Sequence, residues 1–299
     1  MRALDPTVPL CPDRFFEEVA HLVMAYPVLS RRSLGKSLLG RDLPLLLLGR
    51  GRRKLLYVAT HHASEWLTSR LLLSFLEDLL RAAAAGERPF GLDLAFLLSH
   101  RMLCFVPMLN PDGVAIHMGD RGDPLAERRD RMLRGGEYRH WQANARGVDL
   151  NHNYATGFAE YKRLEREMGI GSGAPTRYSG EGPESEPETA ALAAFIRASR
   201  PRFILSLHTQ GEEIYYAGGG VELPGARATA LRLAELSGYR VSIPEGAAAY
   251  GGLCDYTTAA LGIPSFTVEC GRGENPLPIG EAEGIYRRLR RMFFESIAM

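Results

Sequence analysis

The chain has 299 residues, 45% hydrophobic and 24% charged, which suits a globular protein of one large α/β domain or two small ones. A formal net charge of +1, with lysine and arginine spread along the chain, argues against nucleic acid or an anionic membrane as a partner. No apolar run is long enough to span a bilayer, Met1 to Pro6 lacks the apolar core of a signal peptide, and the four cysteines have no metal-ligand spacing. A cytoplasmic, reducing setting is therefore expected.

Residues 1–12 read as an irregular N-terminal arm. Phe15, Phe16, Val19, Leu22 and Val23 then recur at helical spacing over residues 13–26, and Pro27 closes the helix. Gly35, Gly40 and Arg41-Asp42 mark turns before an apolar strand from Leu43 to Leu48. A short basic turn, Arg50 to Lys54, leads into a second strand, Leu55 to Ala59. A long helix with Leu67, Leu71, Leu72, Phe75, Leu76 and Leu79 on one face runs to about Ala85. Met102 to Pro107 is the next strand, and Asn110-Pro111-Asp112-Gly113 is a strong turn signal.

From Ile116 to about Pro183 the pattern loses its period and fills with Gly, Arg and Asn. Such a stretch is too long for a passive connector, so it reads as binding loops with short elements. Its mixed-charge run, Glu127 to Arg134, reads as a solvated loop or helix face. A helix is expected to restart at Ser185, with Ser185 as N-cap and Pro187 in the first turn. Strands follow at Phe203–Leu207, Glu213–Ala217, Tyr239–Ile243 and Ser265–Glu269. Between and after them lie helices near Arg227–Leu236 and Leu253–Leu261 and a terminal helix from Glu281. The alternation, without repeats or a linker, predicts one α/β domain around a mixed, largely parallel sheet.

The chemistry gathers at strand ends. Thr60-His61-His62-Ala63-Ser64-Glu65 joins the Leu55–Ala59 strand to the long helix, and a His and a Glu three residues apart can grip one metal ion. Ligand sites in α/β sheets form at such carboxyl ends. His208 closes the apolar run Phe203 to Leu207 in an equivalent position and is the candidate third ligand. Glu269 ends another apolar strand, where desolvation raises a carboxylate toward the pKa range of a general base. Arg146, within the irregular region, is a candidate donor to a developing oxyanion.

The set His62-Ala63-Ser64-Glu65-Trp66, Asn110-Pro111-Asp112-Gly113, Gly147 to Asn153, Pro183 to Thr189, Ser206-Leu207-His208 and Thr267-Val268-Glu269 resembles the zinc carboxypeptidase A-like family. Gln210 to Tyr215, Tyr250-Gly251-Gly252 and Gly271 to Pro278 are most similar to its bacterial γ-D-glutamyl-meso-diaminopimelate peptidases. The resemblance implies a single domain with a mixed, mostly parallel eight-stranded sheet flanked by helices. It implies one zinc ion per chain held by His62, Glu65 and His208, with His61 as a neighbour and Glu269 as the base. The implied substrate is a peptide or muropeptide.

Departures from the family pattern bear on specificity. Carboxypeptidases of the family carry an Asn-Arg-Asn motif whose Arg clamps a terminal carboxylate, and here that place is His152, after Asn151. Ser64 replaces an Arg often found between the first His and the Glu. Tyr250 matches the family's substrate-capping tyrosine only loosely. Asn151, His152, Tyr250, Arg177 and Arg272 are the candidate substrate-binding residues. The leading expectation is hydrolysis of a γ-D-glutamyl–meso-diaminopimelate amide. Alternatives are a general metallocarboxypeptidase, an amidohydrolase of small acylated amino acids, and a zinc-free peptide-binding pseudoenzyme.

Overall fold

The computed structural model describes Asp5, residues 7–133 and residues 135–299, so most of the expected N-terminal arm's first half and Arg134 of the charged run lie outside the described residues. Eight strands form one sheet: β1 (Leu29–Lys36), β2 (Asp42–Gly49), β3 (Arg53–Ala59), β4 (Arg101–Val106), β5 (Phe203–His208), β6 (Glu213–Tyr215), β7 (Arg240–Ser242) and β8 (Ser265–Glu269). Their order is β1-β2-β4-β3-β5-β8-β6-β7. The four central strands β4, β3, β5 and β8 are mutually parallel, and antiparallel pairings attach β2 and β6 on either side. The expected mixed sheet in a single α/β domain is what forms.

Strand alternation divides the core into two layers. Leu55, Tyr57 and Ala59 of β3 point to one face and Leu56 and Val58 to the other, which is why β3 reads as continuously apolar. The first face packs against helices α1 (Pro12–Ala25), α2 (Leu67–Ala84), α3 (Leu94–His100) and α4 (Pro111–His117). The second packs mainly against α7 (Pro187–Ser199) and a short turn, α9 (Leu253–Asp255), that widens into a π-turn over Tyr256–Ala260. Before α7 come two surface helices, α5 (Ala126–Leu133) and α6 (Phe158–Glu167). Two more, α8 (Ala226–Ser237) and α10 (Ala282–Ser296), complete the first layer.

Several differences from the sequence reading have local causes. β1 is not expected from the sequence, which marks only turns at Gly35, Gly40 and Arg41-Asp42; its residues Ser30 to Ser33 are exposed and polar, so an edge strand shows no apolar alternation. Asn110 does not open a free turn: its side-chain oxygen accepts from Gly113 N at 2.9 Å and caps α4. Gly113 is needed there, since a Cβ would lie 2.4 Å from the carbonyl oxygen of Ala143. The N-cap of α7 is Glu186, not Ser185, because the side-chain oxygen of Asn153 accepts from Glu186 N at 3.2 Å and supplies the cap from outside the helix. Pro12, placed in the N-terminal arm, instead opens α1.

Phe75 of α2 is the hub of the first layer. Its ring lies 5.0 Å from Phe293, 5.6 Å from Tyr57, 5.6 Å from Phe294 and 5.9 Å from Phe105, centroid to centroid. The Tyr57 hydroxyl completes this cluster with a 2.9 Å bond to Ser296 Oγ. Phe75→Ala is therefore expected to lower unfolding free energy by about 3–5 kcal/mol in urea titrations. Leu231→Ala on α8, where Leu231 is 52% exposed, is expected to stay within about 0.5 kcal/mol. Equal losses at the two positions would contradict this account of the core.

Candidate metal centre and active site

β3 ends at Ala59, and the chain leaves the sheet through Thr60, a β-branched residue at φ 59°. Left-handed geometry is costly for such a residue. It is held by hydroxyls of α2: Thr68 Oγ1 accepts from Thr60 N at 3.1 Å, and Thr60 Oγ1 bonds Thr68 Oγ1 at 2.9 Å and Ser69 Oγ at 2.6 Å. After this bend His61 and His62 part company. His61 is fully buried, with Nε2 3.0 Å from the Tyr154 hydroxyl, while His62 turns toward Glu65. Burial and the neighbouring His208 and His62 rings push the His61 pKa well down.

Glu65 closes a 3₁₀ turn, Ala63–Glu65, immediately before α2, and is 4% exposed. Its Oε1 lies 2.9 Å from His62 Nδ1 and its Oε2 3.0 Å from His208 Nδ1. Burial alone would raise this carboxyl, but the two imidazoles outweigh it and hold its pKa at about 2. Burial likewise disfavours the His62 cation, yet Glu65 and Asp149 carry its pKa well above the ordinary value. His208 arrives from the end of β5, which runs parallel to β3 with Ala59 opposite Leu207. One ligand atom from each of His62, Glu65 and His208 fits within 4.8 Å of the others. Two imidazole nitrogens and a carboxylate form a donor set suited to zinc, and the 3.0 Å contact with Glu65 Oε2 turns His208 Nδ1 toward that set.

Parallel pairing of β5 and β8 sets Glu269 directly beside His208. Burial, then repulsion by Glu65, pushes the Glu269 carboxyl up to about 8, against a smaller opposing pull from His62. Glu269 and the three donors share a cavity of about 150 Å³, also walled by Asn151, His152, Tyr215, Cys254, Asp255 and Thr267. Burial raises Asp255 to about 6, although its carboxylate accepts from Gly252 N and Gly219 N. Among the described residues, no lysine or arginine lines this cavity.

Asn151 and His152 thus stand at the cavity, as the sequence suggested. The other candidates do not. Arg146 is 40% exposed and its guanidinium faces Glu186 at 3.7 Å, on the Asn144 side of the irregular region. Arg272 is 75% exposed and paired with Glu212 at 2.7 Å. The Tyr250 ring packs over Gly157, and its carbonyl accepts from His152. Arg177 is exposed and absent from the cavity lining; its backbone N–H donates to Asp149 Oδ2 at 3.1 Å, and its charge is felt by His152 and Tyr161.

Two residues here were not singled out in the sequence. Asp149 is fully buried against His62, with Oδ1 3.0 Å from Nε2, and accepts from the backbone N–H groups of Asn151 and Arg177. Burial would raise its pKa, but the His62 and His152 rings and these bonds hold it well below the carboxylate range. Asn275 donates to the carbonyl of Thr209 at 2.8 Å and, at 3.5 Å, to Glu65 Oε1. Asp149 had a signal, a lone carboxylate in the Gly147–Asn153 run. Asn275 lies in the Gly271–Pro278 run, but nothing in the sequence ties it to Glu65, 210 residues away.

Comparison with known proteins agrees with this geometry. The zinc carboxypeptidase family profile matches residues 17–288. The chain is 32% identical to Gamma-D-glutamyl-L-diamino acid endopeptidase 1 of Lysinibacillus sphaericus, over 94% of this chain and 70% of that protein. Among solved structures it resembles carboxypeptidase A from Helicoverpa armigera, with a TM-score of 0.74, 20% identity and coverage of 100% of this chain and 75% of that one. It also resembles murein-tripeptide amidase MpaA from Escherichia coli O157, with a TM-score of 0.55, 19% identity and coverage of 90% and 92%. With a profile spanning nearly the whole domain and a His-Glu-His set at its strand ends, the chain belongs to the zinc carboxypeptidase family and is a metallopeptidase.

Proposed function

We propose that the protein is a zinc-dependent peptidase that hydrolyses the amide between the γ-carboxyl of D-glutamate and meso-diaminopimelate in peptidoglycan peptides. The observation that carries this reading is the wall of the cavity, which offers Glu65, Asp255 and Glu269 but, among the described residues, no lysine or arginine. A pocket of that character suits a leaving residue with a free ammonium group and lacks the bidentate clamp that a terminal carboxylate wants. The printed name of the relative from Lysinibacillus sphaericus, a diamino acid endopeptidase, points the same way. Four free cysteines, three of them buried, fit a reducing cytoplasm as the place of action.

In this reading His62 Nδ1, Glu65 and His208 Nδ1 would hold the zinc. When bound, zinc supplies a Lewis acid that polarises the scissile carbonyl and lowers the pKa of the attacking water. Glu269 takes the proton from that water and returns it to the leaving nitrogen. Its partly desolvated carboxyl is tuned upward for such a transfer. Asp149 fixes the orientation of His62 by holding Nε2, so that Nδ1 faces the zinc. Arg146, turned toward Glu186, has no part in this scheme.

Three measurements test the reading. Purified protein is expected to bind one zinc per chain. His208→Ala is expected to abolish that binding, and Asp149→Asn to weaken it about 10- to 100-fold in competition with a chelator. Full zinc affinity in both variants would remove these residues from the site.

Glu269→Gln is expected to keep the zinc and lose about two to four orders of magnitude in kcat. A variant with near-normal turnover would make Glu269 a structural residue.

Mass spectrometry of a defined L-Ala-γ-D-Glu-meso-diaminopimelate peptide should show cleavage only at the γ-linked amide. Acetylating the side-chain amine should reduce kcat/KM roughly tenfold. Release of C-terminal residues from ordinary α-linked peptides at comparable rates would favour a general carboxypeptidase instead.

A further inference from the structure

Two polar side chains at the cavity have their chemical polarity fixed by backbone partners. Leu253 N–H donates to Asn151 Oδ1 at 3.1 Å, and only the amide oxygen can receive that proton. Asn151 Nδ2 is therefore the end left over, with two protons to give. His152 Nδ1 lies 2.9 Å from the carbonyl oxygen of Tyr250, which has no proton to offer. The hydrogen sits on Nδ1, and in the neutral ring Nε2 carries a lone pair. Burial is the main influence that lowers the His152 pKa, with the His62 and Arg177 charges adding to it against Asp149 and the Tyr250 carbonyl, which favours the neutral ring. Stacking on Tyr161, with centroids 3.8 Å apart and planes 13° from parallel, holds the ring in that orientation. Asn151 Nδ2 and His152 Nε2 have no partner among the described residues and are not sealed from solvent, and both side chains line the cavity of the metal centre.

A donor and an acceptor on consecutive residues lining one cavity match a group that has one acceptor and one donor. A peptide or primary amide is such a group. A carboxylate is not: with two acceptor oxygens, it would set one of them against the Nε2 lone pair. In a peptide substrate, the carboxyl of the leaving residue is where the chain offers this choice, since it is either free or continued as an amide. We propose that Asn151 and His152 together recognise an amide at the carboxyl group of the leaving residue. The enzyme is then selective for substrates in which that carboxyl is amidated or extended by a further residue. This inference rests on the peptidase reading above and adds the group recognised beyond the scissile bond.

The test uses three γ-D-glutamyl-meso-diaminopimelate peptides that differ only at the carboxyl of the leaving residue: free, carboxamide, or extended by D-alanine. Their dissociation constants are measured by calorimetry on zinc-loaded Glu269→Gln protein, and kcat and KM on the unmodified enzyme. The carboxamide and the extended peptide are expected to bind roughly ten- to a hundredfold more tightly than the free acid. Tighter binding of the carboxamide alone would assign the pair to a primary amide, and of the extended peptide as well, to a peptide bond. His152→Arg replaces the acceptor by a cation and is expected to invert the order through KM. Asn151→Asp, which keeps the oxygen facing Leu253 and removes the donor, is expected to erase the preference for the amide. Preferred binding of the free acid, or an order unchanged in both variants, overturns the proposal while leaving the peptidase reading intact. The expected binding order with no cleavage by the unmodified enzyme upholds the recognition and refutes the proposed reaction. No binding of any of the three peptides overturns both.

Discussion

The site depends on a carboxylate that should not be comfortable where it is. Glu65 is almost fully removed from water, and moving an ion of that size into a protein interior costs several kcal/mol even after relaxation. Its two oxygens meet an imidazole nitrogen each, at 2.9 and 3.0 Å, and those contacts hold it ionised. Glu269, in the same cavity, feels Glu65 as a like charge and is driven the other way. Two carboxyl groups in one small space thus have their proton affinities pushed apart, one fixed as an anion and one poised to exchange a proton. A dication between Glu65 and the two imidazoles resolves the burial of Glu65 directly, since three donors already converge on one point.

The backbone that delivers these groups is itself constrained. Three parallel strands end side by side, with Ala59 paired to Leu207 and His208 to Glu269, so the sheet alone aligns two of the four groups. The other two need a sharp exit from β3. Thr60 provides it in a left-handed conformation, and the hydroxyls of Thr68 and Ser69 from the next helix pin it there. Thr68 Oγ1 also donates to the carbonyl of Glu65 at 2.7 Å, so the group that braces the bend braces the ligand turn as well. The strain of this bend sits at Thr60 and is offset by bonds to a helix anchored through the aromatic cluster around Phe75.

Much of this was legible in the sequence because the central strands are buried on both faces. Leu55–Ala59, Phe203–Leu207 and Ser265–Glu269 stand out as apolar runs, and polar residues at their ends stand out in turn. The edge was not legible. β1 carries exposed serines and arginines, and α5 and α6 lie in a region whose helical faces are mostly charged. Contacts across long separations were also out of reach: Asp149 meets His62 across 87 residues, and Asn275 meets Glu65 across 210. Periodicity reports which face of an element is buried, and it carries no information about which loop folds over which strand end.

The arginines show how charge misleads when read along the chain. Arg146 and Arg272 were attractive as anion contacts because each lies near a site motif. Each is instead turned to a carboxylate outside the cavity, Glu186 for one and Glu212 for the other. Arg177 serves Asp149 through its backbone, which any residue able to take φ 66° could do. Their departure leaves a wall of carboxylates, amide and neutral imidazole. Away from the metal, a free carboxylate brought against that wall would lose its hydration and find no lysine or arginine in the lining. An ammonium group would find carboxylates to offset its desolvation, and a neutral amide is cheaper to desolvate than either ion.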